Sequence, residues 1–95
     1  MSRKYEVVFV LSPKLGEEGI VSTYNKIKNL IETSATFETV DEWGRKRLAY
    51  EIDDQREGIY FLVRFAAEAD FPAELERVLK ITEGVMRFLV IRLED

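Results

Sequence analysis

The sequence predicts an α+β domain in which a four-stranded antiparallel sheet carries two helices on one face. Three observations support this prediction. The chain has 95 residues, which suits one domain, 1–95, with one core. Short runs of β-branched and aromatic residues surround two segments with helical apolar spacing. Right-handed crossovers then leave one compact arrangement for the order strand, helix, strand, strand, helix, strand.

The first half of the chain predicts a strand, a helix and a long second strand. Lys4 to Leu11 is short, β-branched and aromatic, as in a strand. From about Glu17 to Thr33, apolar residues recur at the spacing of an amphipathic helix. Phe37 to Ile52 has the pattern of one long strand interrupted by Gly44. A Gly inside a strand pattern indicates a bulge or bend.

The second half predicts a hairpin, a second helix and a last strand. The polar segment Asp53 to Gly58 is a turn that leads into a strand over Ile59 to Ala67. Asp70 is placed to cap the second helix, with Pro72 in its first turn. Val85 to Leu93 is the last strand. This order is typical of the ferredoxin-like split βαββαβ arrangement.

Composition limits the function classes. The chain contains neither Cys nor His, which excludes disulfides, thiolate nucleophiles, Cys/His zinc sites and the usual general base. No phosphate-binding glycine loop or converging polar cluster is visible, so we expect no enzyme, cofactor, metal site or small-molecule substrate. No apolar run is long enough to cross a bilayer and no leader peptide is visible, so we expect a cytoplasmic protein without membrane contact.

Two helices can cover only one face of the sheet, yet the strands carry apolar residues on both faces. If Tyr5, Phe61 and Phe88 face the helices, the other face is apolar with a basic rim. Its residues are Val8, Val10, Tyr60, Leu62, Leu89 and Ile91, framed by Arg64 and Arg87. Exposed patches of this kind usually mark a partner surface. The alternative is that loops or termini cover this face.

Three consecutive basic residues, Arg45, Lys46 and Arg47, stand out in a chain with a net charge of −4. Strand alternation places the two arginines on one face. Lys46 lies in phase with the apolar residues Leu48, Tyr50 and Ile52, which predicts that it extends from the edge of the core. A guanidinium pair suits an RNA backbone. Composition alone favours the alternative, edge protection or ion pairs with nearby carboxylates.

The segment GRKRLAYEI, Gly44 to Ile52, resembles the signature of the bacterial small-subunit ribosomal protein number six family. That signature is a Gly, a free position, a basic residue, a polar residue, Leu, Ala or Ser, Tyr, any residue and Ile. The opening RKYEVVFVLSP and the closing VMRFLVIRLED resemble the first and last strands of the family. The family often has Pro at position 51 and a basic or small residue at position 53, where this chain has Glu51 and Asp53.

The resemblance implies a structural, non-catalytic protein of the small ribosomal subunit. It implies binding to the central domain of small-subunit rRNA together with small-subunit ribosomal protein number eighteen. The RNA-binding residues that it implies are Arg3, Arg45, Lys46, Arg47 and Arg87. We expect the protein partner to contact Tyr60, Leu62, Leu89 and Ile91. A basic partner would offset the net negative charge of the chain.

An RNA recognition motif, which binds single-stranded RNA, has the same order of strands and helices. The segment EGIYFLVRF, Glu57 to Phe65, resembles its third strand superficially. Glu57, however, stands where that motif has a basic residue, and Ile59 replaces its first aromatic residue. We therefore predict that Phe61 belongs to the core, and a free-standing RNA reader stays the second hypothesis.

Overall fold

The computed structural model describes residues 2–52 and 55–93. The described chain forms an antiparallel sheet of four strands in the order β2-β3-β1-β4, with two α-helices. The strands are β1 (Arg3–Leu11), β2 (Thr36–Ile52), β3 (Gln55–Ala67) and β4 (Val85–Arg92). The helices are α1 (Gly16–Ser34) and α2 (Phe71–Ile81), and a 3-10 helix over Pro13–Leu15 precedes α1. This is the predicted ferredoxin-like arrangement.

The core lies between the helices and one face of the sheet. Alternate residues of β1, from Tyr5 to Leu11, are buried in it because successive strand side chains point to opposite faces. Phe9, Phe61 and Tyr24 stack there, with ring centroids 4.9 to 6.4 Å apart. Phe61 is buried, which confirms that it belongs to the core. The opposite, helix-free face of the sheet is called the open face below.

The pairing of β2 with β3 shifts register at three places, between Phe37 and Thr39, between Glu42 and Gly44, and between Arg47 and Ile52. At the second shift Gly44 has φ +75°, a left-handed conformation that side chains of L-residues rarely adopt. A bulge adds one residue to one strand, so the facing of every later residue is reversed relative to strict alternation. The predicted bulge at Gly44 is therefore present, and it changes the facing of the segment that follows.

Beyond the end of β1, the paired ends of β2 and β3 extend as a hairpin arm, residues 45–52 and 55–58. Gly58 holds this arm close to the sheet. A Cβ atom on Gly58 would lie 2.2 Å from Cγ1 of Val10 and 3.5 Å from Cδ2 of Leu48. Val10 and Leu48 are both buried, so the arm covers the end of the open face next to Val10.

Two local expectations need correction. β3 begins at Gln55 and not at Ile59, because residues 55–58 continue the pairing with β2. Asp70 stands at the N-cap of α2 but its side chain makes no capping hydrogen bond, since its backbone is helical (φ −86°, ψ −16°) and not extended as a side-chain cap requires. Asp53 and Asp54, which the sequence predicts to lie in a turn, and the last two residues, Glu94 and Asp95, lie outside the described residues.

Candidate nucleic-acid and protein interface

The register of β3, β1 and β4 arranges the open face in cross-strand rows. Val10 pairs with Tyr60 on β3 and with Arg87 on β4. One step along, Val8 pairs with Leu62 and Leu89, and the next row contains Glu6, Arg64 and Ile91. Directly opposed residues share a face, so the expected open-face residues do lie together. The face runs from an aromatic end near Tyr60 to an apolar end near Ile91.

The aromatic end consists of Trp43, Lys46, Tyr50, Tyr60 and Arg87. The rings of Trp43 and Tyr60 are stacked, with centroids 6.5 Å apart and an interplanar angle of 24°. The Lys46 Nζ lies 5.0 Å from the centroid of Trp43, and the guanidinium carbon of Arg87 lies 5.3 Å from the centroid of Tyr50. Both distances are within the range of cation–π attraction. The arm thus reaches β4 through Tyr50 and Arg87.

The apolar end is formed by exposed side chains of β4, the edge strand. Leu89 is 59% exposed and Ile91 is 40% exposed, and both were expected to contact a protein partner. Leu62 and Val10 face the same side but are buried, at 7% and 3% exposure. The exposed apolar surface is therefore narrower than the sequence pattern indicated, because the side chains of Leu62 and Val10 are buried within it.

The cations of the open face fall into two groups. Lys4 lies 3.5 Å from Glu38, and Nε of Arg64 donates a 3.0 Å hydrogen bond to Glu6. Lys46 and Arg87 form no ion pair with any residue in 2–52 or 55–93. Positive charge that can attract a phosphate is therefore concentrated at the aromatic end.

The basic triplet is divided between two sides of the arm. Arg45 pairs with Ile59, which packs against the core, so Arg45 lies on the side of the sheet that carries the helices. Arg47 pairs with Glu57 on the same side, which agrees with the predicted arginine pair. A guanidinium nitrogen of Arg45 also lies 3.6 Å from a carboxylate oxygen of Glu57.

The expected position of Lys46 at the edge of the core is wrong. Lys46 pairs with Gly58 and lies over Trp43, so it projects from the open face. The reason is the extra residue at Gly44, which places the apolar residues Leu48 and Tyr50 on the open face as well.

Arg3 is remote from the other predicted RNA-binding residues. It pairs with Ala67 at the far end of β1, whereas Leu11 at the near end pairs with Ile59, the partner of Arg45. Eight residue steps along a strand correspond to roughly 27 Å. The structure brings Lys46 and Arg87 together, places Arg45 and Arg47 behind them, and leaves Arg3 at the opposite end of the sheet.

Tyr24 packs against the core, and its surroundings shift its pKa. Burial raises the pKa of Tyr24, and the carboxylates of Glu42 and Glu32 raise it further. No group of three or more carboxylates among residues 2–52 and 55–93 could hold a metal ion. In the same residues, no helix has the length and hydropathy to cross a membrane.

Sequence reasoning missed two members of the aromatic end. It assigned no facing to Trp43 and placed Tyr50 in phase with the core. Gly44 signalled only one of the two register shifts that precede residue 45, and each shift reverses the alternation of the later residues. The facing of Tyr50 therefore follows from the pairing of β2 with β3 and not from the glycine alone.

Comparisons with known proteins agree over nearly the whole chain. The family model described as Ribosomal protein S6 matches residues 4–92. The small ribosomal subunit protein bS6 of Clostridium novyi is 48% identical over 93 residues, covering 97% of this chain and 98% of the relative. That of Alkaliphilus oremlandii is 50% identical over 91 residues, with 96% and 97% covered. The crystal structure of 30S ribosomal protein S6 from Thermotoga maritima superimposes with a TM-score of 0.91 at 27% identity, covering 98% of this chain and 89% of that one.

Proposed function

Because this chain belongs to the ribosomal protein S6 family and is a protein of the small ribosomal subunit, we propose that it binds the central domain of small-subunit rRNA together with small-subunit ribosomal protein number eighteen. In this proposal the protein is a non-catalytic constituent of the ribosome in the cytoplasm. The observation that carries it is the similarity over residues 4–92, which includes the arm with Arg45, Lys46 and Arg47.

The open face has features that favour the binding of a protein partner. Its apolar end exposes Leu89 and Ile91 on an edge strand, and the half-buried Tyr60 lies at the aromatic end of the same face. Exposed apolar side chains next to polar ones are typical of the surface that a partner covers. The net charge of −4 favours a basic partner, whose charge this chain would offset. Leu62 supports this surface through packing.

The arm carries basic residues that favour the binding of RNA. It presents Arg45 and Arg47 on one side and Lys46 on the other, with Arg87 next to it on β4. Arginine holds phosphate oxygens by two parallel hydrogen bonds, and lysine acts as a point charge. Arg3, at the far end of β1, would make a separate phosphate contact.

The proposal is tested by filter binding of this protein to an rRNA central-domain fragment, with and without small-subunit ribosomal protein number eighteen. We expect tight binding only when both proteins are present, because the acidic chain alone attracts phosphate weakly. Equally tight binding by this chain alone would instead support the second hypothesis, a free-standing reader of single-stranded RNA. Absence of binding with both proteins present would contradict the proposed function.

A further inference from the structure

We propose that the aromatic end of the open face binds an unpaired RNA base by stacking on Trp43, with Lys46 and Arg87 holding the adjacent phosphates. This inference rests on the proposed function and specifies how one part of the interface reads RNA. It also changes the role of Tyr60, which then supports a base-binding ring instead of contacting the protein partner.

The rings of the aromatic end expose surface on which a base could stack. Trp43 is 43% exposed and Tyr50 is 58% exposed, although each already contacts a neighbour. Tyr60 stacks against Trp43 and orients the indole. Large aromatic surface that remains accessible on a well-packed sheet is available to a flat ligand, and every nucleobase has such a face.

Charge on the open face also favours a nucleotide at the aromatic end. Glu38 pairs with Lys4 and Glu6 with Arg64, so the open-face cations outside the aromatic end are neutralised. Lys46 and Arg87 have no such carboxylate among the described residues and lie over rings instead. Two cations that pair with no described carboxylate, placed beside exposed rings, match a nucleotide, which combines a π surface with a phosphate.

The charges of the aromatic end favour RNA over a protein as its occupant. The net charge of −4 favours a basic partner protein, and Lys46 and Arg87 would repel such a partner at the aromatic end. At the apolar end, Leu89 and Ile91 are exposed, and the nearby Arg64 is paired with Glu6, so this end suits that partner. The open face is therefore divided, with protein contact along β4 near Ile91 and base contact near Trp43.

Trp43 is the only tryptophan in the chain, so its fluorescence reports directly on this site. The isolated protein is titrated with a single-stranded hexaribonucleotide, with an abasic oligomer of equal length and with hexaglutamate. Stacking predicts quenching by the hexaribonucleotide and weak or no quenching by the other two. Equal quenching by the abasic oligomer or by hexaglutamate would show that only charge is recognised and would overturn the proposal.

The same site is then tested in the complex with the partner protein and the rRNA fragment. Trp43→Leu should weaken assembly roughly 10- to 100-fold, whereas Trp43→Phe should retain most of the affinity because a ring remains. Ile81→Ala, which alters an exposed apolar residue on α2, serves as the control and should change nothing. Thermal melts of each variant establish that it is folded.

The outcomes separate this inference from the proposed function. If wild-type protein assembles and Trp43→Leu assembles equally well, the stacking site is wrong and the proposed function stands. If the partner protein alone quenches Trp43 and Trp43→Leu weakens that binary complex, the aromatic end is a protein contact, which also overturns the inference. If the wild-type protein fails to assemble at all, the proposed function itself fails, while quenching by the hexaribonucleotide still tests the stacking site.

Discussion

Replacing Gly58 by alanine tests whether close contact with Val10 fixes the hairpin arm over the sheet. The added Cβ atom would lie 2.2 Å from Cγ1 of Val10. Carbon atoms pack best at about 3.5 to 4.0 Å, so the arm or Val10 must move by roughly 1.5 Å. Overpacking of this kind costs about 1 to 3 kcal/mol of the free energy of unfolding. For a domain of this size, each kcal/mol lowers Tm by about 4 to 8 °C.

The sign of the change in the free energy of unfolding distinguishes a steric clash from a backbone effect. Gly58 is not among the glycines with positive φ, so its backbone does not itself require glycine. At such a position alanine ordinarily stabilises a protein by about 0.4 to 1 kcal/mol, because it restricts the unfolded chain. Destabilisation by Gly58→Ala can therefore be assigned to the contact with Val10 and not to lost backbone freedom.

The assay is urea unfolding of four proteins: wild type, Gly58→Ala, Val10→Ala and the double variant. Val10→Ala alone should cost about 1.5 kcal/mol for two buried methyl groups. In that background the clash is gone, so adding Gly58→Ala should be neutral or stabilising, and the coupling free energy should exceed about 1 kcal/mol. Additive costs, or a Gly58→Ala variant as stable as wild type, would refute the close approach of the arm.

Three further predictions concern the interface and the core. Arg47→Gln should reduce the salt dependence of rRNA assembly by about 0.7 to 0.9 log units per log unit of salt. Arg45→Gln should reduce the salt dependence less, since Glu57 already pairs with Arg45. Equal slopes for the two variants in filter binding would contradict this prediction. Leu89→Asp should abolish binding of the protein partner in calorimetry without lowering Tm, and Val21→Asp, an equally exposed change on α1, should bind normally. Burial raises the pKa of Tyr24 from its ordinary 10.0, so the free energy of unfolding should fall as pH rises above about 10. Tyr24→Phe should lessen that fall, which urea titrations at pH 9 and 11 would measure.

The fold could be predicted from the sequence because apolar periodicity and turn chemistry agree along nearly the whole chain. The core residues of β1 alternate without exception from Tyr5 to Leu11, and the bulge was indicated by Gly44. The ion pairs could not be predicted, because Glu6 and Arg64 are 58 residues apart and meet only through the register of β1 with β3. The burial of Leu62 was also hidden, since it depends on neighbouring strands and not on its own strand.

The position of Lys46 shows why a single bulge matters more to the interface than to the fold. The sheet keeps its order and its core whichever way residues 45–52 face, because most of that segment extends beyond the end of β1. The interface is not preserved in the same way, since a shift of one residue would place Arg45 on the open face in the position of Lys46. With the bulge, the open face receives Lys46 and Tyr50 next to Arg87, and the two arginines remain on the opposite side. Basic residues adjacent in sequence therefore project from opposite sides of one narrow arm.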